Sequence, residues 1–394
     1  MSNRLCWFRS GDTVSALALP ILPNDVIADW DSLRKTMLRK RPPDFERDEW
    51  AYLVTFLDRE HLESVFHSEF GDLIQTPGMG AFRLLRPRGL VGIWLPNNVS
   101  LLGPLALIIL TLTGCQLWLK SGSEATNLAR IFLDFAREHL RAGPLKHYLD
   151  TMVAVETLDR DDARLKEMAV RCNVRIVFGS DAAAEAIHGL APPHRGVAFS
   201  FLDRQSEAWL DLRAFDEGVM ETLAKVFVIY GQAGCTSPRR VVVINGTIAD
   251  ATEIRRRLLE AWPRLFPKAS PMHFASTSVM TRQWAATGGW DAALTPGHNA
   301  VLAVGPYDLA PIPSPMMLSF SPATLAKAVS GLPSNIQTIG YAAPHGIMMD
   351  EWLPALSATA AKRLVPLGQM HHFGPVWDGQ PYWRQCFEEM EVAG

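Results

Sequence analysis

The sequence predicts an α/β protein with a doubly wound, mostly parallel sheet and a second α/β unit. Three observations carry this. From Arg88 onward, short apolar runs alternate with segments of helical periodicity, the pattern of repeated β-α-β units. The chain has 394 residues, 48% of them hydrophobic, enough for two sizeable cores. Residues 227–244, FVIYGQAGCTSPRRVVVI, run from an apolar helix tail through a glycine-rich turn into a β-branched strand.

Residues 1–80 read as a helical lead-in. Segments 29–39 and 47–66 have helical periodicity with charged faces and the aromatics Trp50, Tyr52, Phe56 and Phe66. Residues 81–211 form the first α/β domain. Residues 90–95 read as a buried strand, and Ser100 caps a helix over 101–112 that Gly114 terminates. Residues 116–120 form a second strand. Ser123 then caps a helix whose apolar positions 125, 128, 132, 135 and 136 share one face. Residues 152–155, 174–178 and 197–201 are further strands. Sheets of this kind take ligands at the carboxyl ends of their strands.

Residues 212–355 form a second domain. A long helix over 213–230 leads into the cysteine turn, a strand follows at 241–244, and helices are expected over 248–262 and near 324–329. Residues 356–394 form a loop-like aromatic segment that returns to the active site or to an oligomer interface.

Composition excludes several classes. Net charge is −3 with acids and bases well mixed, and no basic run exceeds residues 255–257, so no nucleic-acid surface is expected. The five cysteines, Cys6, Cys115, Cys172, Cys235 and Cys386, show no metal-binding spacing, so no metal is expected. The N-terminus lacks a signal-peptide core, and residues 101–112 are too short to span a bilayer. A reducing cytoplasm fits best, and a homo-oligomer is expected.

Cys235 is the residue with chemistry in reach. Gly231 and Gly234 permit close backbone approach, and a thiol on such a turn is exposed while its flanking elements hold it. Nearby backbone N–H groups lower its pKa and receive a developing oxyanion. The motif Gly231-Gln232-Ala233-Gly234-Cys235-Thr236-Ser237-Pro238 resembles the nucleophile motif of the aldehyde dehydrogenase superfamily. It is most similar to the luminescence-type acyl-thioester reductases, the LuxC family, where Gln precedes the Cys and Ser-Pro follows. The tracts LPSNIQTIGY (332–341) and KRLVPLGQMHHFGPVWDG (362–379) resemble the same family.

That resemblance implies an aldehyde dehydrogenase-like fold, a doubly wound parallel-sheet cofactor domain plus an α/β catalytic domain. It implies an asparagine amide in the oxyanion hole. Asn98, followed by Val, matches the reductases; Asn97 matches the spacing to Lys120 in ordinary aldehyde dehydrogenases. Both stay candidates, with Asn98 preferred. Lys120 corresponds to the lysine that contacts the adenosine ribose or its phosphate. Ser121, Gly122 and Ser123 follow it before Glu124 is reached, a loop that tolerates a 2′-phosphate, so NADPH is expected over NADH. Gly179 and Ser180 correspond to the turn facing the pyrophosphate. His371, beside His372, is an acid/base candidate. Gln232, Gln337 and Thr338 line the substrate pocket.

The water-activating glutamate of the hydrolytic aldehyde dehydrogenases is missing from its motif; Glu207 is the nearest acid. Without a positioned base, an acyl-cysteine persists until a hydride or thiol takes it. The expectation is a reductase converting an acyl-CoA or acyl-carrier-protein thioester to an aldehyde through an acyl-Cys235, with an acyl-transferring enzyme as partner. An acyl-phosphate reductase, an aldehyde dehydrogenase and an inactive subunit of a multienzyme complex are the alternatives.

Overall fold

The computed structural model describes residues 3–393 apart from 76–79, 123–125, 161, 203 and 269–270. The chain divides into two units, one of Met1–Leu202 with Phe373–Gly394, the other of Asp203–His372. These boundaries differ from the sequence-based ones at both ends of the second unit. The strand β10 (Gln205–Asp211), read from sequence as part of the first domain, pairs with strands of the second unit. The last segment splits, with residues up to 372 in the second unit and the remainder in the first.

The lead-in is not purely helical. It opens with a hairpin, β1 (Arg4–Ser10) and β2 (Thr13–Leu19), joined by Gly11-Asp12 with Ser10 opposite Thr13. Gly11 has φ +56°, the left-handed backbone that two-residue hairpin turns demand. The helices α1 (Pro23–Met37), α2 (Arg47–Phe56) and α3 (Arg59–Phe70) follow, then β3 (Asp72–Ile74) and β4 (Phe82–Pro87). Trp30 of α1 is fully buried and donates to Thr111 Oγ1 at 3.0 Å. It also stacks on Phe132 at 5.8 Å, so the lead-in shares a core with the parallel sheet and is no separate domain.

That sheet comprises β5 (Leu90–Trp94), β6 (Gln116–Ser121), β7 (Val153–Thr157), β8 (Val174–Phe178) and β9 (Val197–Phe201). All neighbours are parallel, in the order β7-β6-β5-β8-β9. The winding reverses between β5 and β8, where such sheets open a ligand crevice at the strand carboxyl ends. The connecting helices are α4 (Leu102–Thr111), α5 (Leu128–His139), α6 (Pro144–Met152), α7 (Ala163–Arg171) and α8 (Asp181–His188). Helix α4 is buried on every face. Two cap expectations change. The hydroxyl of Ser100 makes no cap on α4 and donates to Glu49 Oε1 at 2.8 Å. Asn127 caps α5 by accepting from Arg130 N at 3.0 Å; Ser123, expected there, lies outside the described residues.

The second unit is built on β10, α9 (Glu217–Val228), β11 (Pro238–Ile244), α10 (Ile248–Leu265), α11 (Met272–Thr287), β12 (Asp291–Leu294), β13 (Val301–Val304), β14 (Met317–Ala323), α12 (Leu325–Ser330), β15 (Ile336–Ala342) and β16 (Arg363–Pro366). Its sheet runs β12-β13-β14-β11-β10-β15-β16, parallel except for β12 against β13. Ala208, Leu210, Val241 and Val243 pack with α9 and α10 on one face. Trp209, Val242 and Ile339 pack with Trp352 and Ala328 on the other. This is the alternation of a strand covered on both sides. The last strand, β17 (Phe387–Val392), returns to the first unit and pairs antiparallel with β4.

Candidate active site

Helix α9 is capped by Asp216, which accepts from Val219 N at 2.8 Å. At its far end the chain turns through Gly231 (φ +57°) and Gln232 (φ +61°). A left-handed glutamine is costly, and its side chain secures the turn. Gln232 is 1% exposed; its Nε2 donates to Pro238 O at 2.9 Å and Met317 O at 2.7 Å, while Oε1 accepts from Met317 N at 3.0 Å. The amide expected in a substrate pocket is engaged by backbone at each of these atoms. It clamps the turn onto β11 and β14.

Cys235 follows, half-buried, at the amino-terminal edge of this sheet. Its carbonyl accepts from Ser206 Oγ at 2.7 Å, and Ser237 N closes the turn on Gly234 O at 3.0 Å. Ser206 lies opposite both Pro238 of β11 and Thr338 of β15. Both neighbours of β10 carry an extra residue here. Between Ser206 and Glu207 the register on β11 skips Arg239; between Gln205 and Ser206 the register on β15 skips Gln337. Such bulges re-aim side chains next to sites. Gln337 Oε1, Thr338 Oγ1 and Ser237 Oγ are buried at this edge without a hydrogen-bond partner among the described residues. Buried acceptors and hydroxyls of this kind are where a ligand's polar groups find partners.

Thr236 and His371 form the second support. Thr236 Oγ1 lies 2.7 Å from His371 Nδ1, and His371 Nε2 lies 2.8 Å from Val226 O. A carbonyl only accepts, so Nε2 carries the proton and Thr236 donates to Nδ1. Burial pushes the imidazole down to about 4; the bond to Val226 opposes this, and the charges of Arg363 and His372 add to it. Arg363 pins the same segment by donating to Gln369 O, Met370 O and His372 O at 2.9, 2.7 and 2.8 Å. His371 therefore meets the cysteine turn as a neutral partner of Thr236.

Glu207 faces away from this edge. Its Oε1 takes both Nε and Nη2 of Arg240 at 2.9 Å, and its Oε2 accepts from Trp209 Nε1 at 3.0 Å. It shares the Trp209 face of β10, opposite the face of Ser206. Arg240 also donates to Tyr307 O at 3.1 Å, with its guanidinium 4.4 Å from the Tyr307 ring centroid. Sequence reasoning missed Ser206 and Arg240, whose partners are distant in the chain.

In the first unit, Asn97 and Asn98 follow β5 and are exposed. A Cβ on Gly122 would stand 1.9 Å from Asn97 Oδ1, so any larger residue there would displace the Asn97 side chain. Lys120 and Ser121 end β6. Lys120 is half-buried, and its pKa is lowered first by burial and then by the charge of Arg160, against Asp159. Gly179 N donates to Phe201 O at 3.2 Å, and Ser180 caps α8 by accepting from Ala183 N at 3.4 Å. These groups stand at the carboxyl ends of β5, β6 and β8, on both sides of the winding reversal. Among the described residues, no three His, Cys, Asp or Glu side chains are grouped to hold a metal, and no helix is long and apolar enough to cross a membrane.

A family model described as Acyl-CoA reductase (LuxC) matches residues 23–294. Among curated proteins none matches the chain. Solved structures of similar fold include an NAD-dependent aldehyde dehydrogenase from Sinorhizobium meliloti, 15% identical over 95% of this chain and 83% of that one, TM-score 0.65. An aldehyde dehydrogenase from Bartonella henselae is 12% identical over 95% and 87%, TM-score 0.66. A Mycobacterium tuberculosis aldehyde dehydrogenase complexed with NAD+ is 13% identical over 95% and 86%, TM-score 0.63. The fold is that of the aldehyde dehydrogenases.

Proposed function

Because the chain belongs to the LuxC family of acyl-CoA reductases, we propose that it reduces an acyl thioester to an aldehyde through a covalent acyl-Cys235. Cys235 Sγ attacks the thioester carbonyl, and the C–S bond to the donor thiol breaks as the tetrahedral intermediate collapses. The oxyanion is held by the Asn98 amide and the Cys235 backbone N–H; one such donor contributes about 3 kcal/mol. His371 orients Thr236, and Thr236 with Ser206 holds the nucleophile turn at a fixed place. Gln337 and Thr338 line the wall of the acyl pocket.

The cofactor in this reading is NADPH, with NADH second. The first unit suits a dinucleotide by its winding reversal, its Gly179-Ser180 helix start and the half-buried Lys120 at the end of β6. Lys120 and Ser121 would hold the adenosine ribose end, with Gly179 and Ser180 at the pyrophosphate. When bound, the cofactor supplies the hydride that reduces the acyl-Cys235 thioester. Release of aldehyde returns the Cys235 thiolate.

The observation that carries a reductase over a hydrolase is Glu207. Both its oxygens are occupied by Arg240 and Trp209, so this carboxylate does not stand ready to activate water. Incubation with an acyl-CoA and no cofactor should leave a stable acyl adduct on Cys235 by intact mass, discharged as aldehyde on adding NADPH. Rapid release of free acid without cofactor would place the protein with the hydrolytic enzymes instead.

A further inference from the structure

All five cysteines of the chain are free thiols, and two of them meet inside the first unit. Cys386 closes the short turn Arg384–Cys386 ahead of β17, and Cys115 stands one residue before β6. β17 begins opposite Pro87 of β4, and β6 begins opposite Leu90 of β5. The two cysteines therefore flank the linking pair Arg88-Gly89. Arg88 N donates to Cys386 O at 2.9 Å, and its Nε donates to Gln385 O at 2.8 Å. On the other side, Gln116 N donates to Gly89 O at 3.0 Å. Cys115 Sγ lies 3.5 Å from the same Cys386 carbonyl, although the residues are 271 apart in sequence. Both residues are fully buried. Their thiols also share a hydrogen bond. That bond lowers Cys115, against burial and with help from the Thr113 hydroxyl and the Gly89 and Arg88 N–H groups. The same bond, with burial, raises Cys386 well above the usual thiol range. A pair sharing one proton is a thiolate beside a thiol. Among the described residues no other cysteines are so placed. Cys6 stands opposite Leu17 on the hairpin, Cys172 packs with Trp94 and Val177, and Cys235 belongs to the second unit.

We propose that Cys115 and Cys386 are a reversible redox pair whose disulfide clasps β17 to the parallel sheet. The oxidant is a peroxide. The Cys115 thiolate attacks one peroxide oxygen, and the O–O bond breaks. The leaving hydroxide takes up the proton Cys115 had released and becomes water, and Cys115 is left as a sulfenic acid. The Cys386 sulfur then attacks the Cys115 sulfur. The S–S bond forms, the S–OH bond breaks, and the hydroxide leaves as water with the proton of the Cys386 thiol. The two thiols lose two electrons and the peroxide gains two. β17 is the edge strand of its sheet, pairs with β4 and turns most of its residues to solvent. Local opening of such an edge admits a small oxidant to the buried pair. Once formed, the bond ties the sheet of β17 and β4 to the sheet of β5 and β6, and β17 separates only after a dithiol has reduced it.

Peptide mapping of the full-length chain tests this. The reduced protein is treated with hydrogen peroxide in native buffer, blocked with iodoacetamide in denaturant and digested without reductant. A cross-linked peptide pair carrying Cys115 and Cys386 should appear, and dithiothreitol should remove it. Hydrogen exchange on the same samples should slow about tenfold over 387–392 when the protein is oxidised. Cys115→Ser and Cys386→Ser should each abolish both effects, and Cys6→Ser should keep both. If both cysteines of the peroxide-treated wild type still react with iodoacetamide, or either is oxidised without the cross-link, the redox pair is overturned. That reading is taken on the wild type and needs no variant to fold. A disulfide from either residue to Cys6, Cys172 or Cys235 would overturn it equally. The expected disulfide with unchanged exchange over 387–392 would overturn the clasp.

Discussion

Glu207 and Arg240 are two opposite charges with almost no water around them, at 4% and 10% side-chain exposure. Taking charges out of water is costly, and what makes it tolerable here is that every oxygen and most N–H groups are met. Removing one partner leaves the other stranded. Arg240→Met should lower unfolding free energy by about 3–5 kcal/mol in urea titration. Glu207→Gln should leave the hydrolysis rate of an acyl-Cys235 adduct unchanged, because a carboxylate so engaged activates no water; a marked slowing would contradict the mechanism. His371 makes a different, pH-dependent contribution. Its folded-state value of about 4 lies below the ordinary 6.5, so between those values the unfolded chain binds a proton that the folded chain refuses. The stability from this group is complete above pH 6.5 and is lost as pH falls toward 4, by at most about 3 kcal/mol. His371→Gln should flatten that slope in denaturation curves taken at pH 5 and pH 7.

At the scale of elements, the segment carrying His371 is seated on β15 through a missing side chain. A Cβ on Gly340 would stand 2.3 Å from Met370 Sδ, and Met370 is fully buried. Gly340→Ala must push Met370 aside, and with it the neighbouring His371. A loss of about 1–3 kcal/mol is expected, together with a fall in kcat larger than any change in KM, read by thermal melting and steady-state rates. The parallel sheet was legible from sequence almost residue for residue. Val174–Phe178 and Val197–Phe201 stand where their apolar runs stand, because such runs need no information from elsewhere. β10 was missed because its pattern holds Ser206 and Glu207, buried polar groups whose partners lie on other strands. The hairpin of β1 and β2 was overlooked although Gly11-Asp12 between two alternating runs signals it. Of the site, the cysteine turn and the Gly179-Ser180 turn are local in sequence and were readable. The Thr236–His371 bond joins residues 135 apart, and no local pattern encodes it.

Across the whole molecule, the chain leaves the first unit at residue 202, builds the second, and comes back at Phe373. The returning stretch is structural in the first unit. Trp383 packs on Phe66 and Phe70 at 5.8 and 5.6 Å, Phe387 meets Phe70 at 5.4 Å, and β17 covers the edge of β4. A chain ending at His372 should therefore lose hydrogen-exchange protection over 82–94 while 238–244 stays protected. Synthesis meets the same condition in time. Residues 203–372 all have to be made before the strand that completes the first unit exists, and at about 5–20 residues per second this takes roughly 10–30 s. Through that interval the aromatic surface around Phe66 and Phe70 waits uncovered on the ribosome. The second unit is free to fold first, and nascent-chain chaperones should be found on the half that was started earlier.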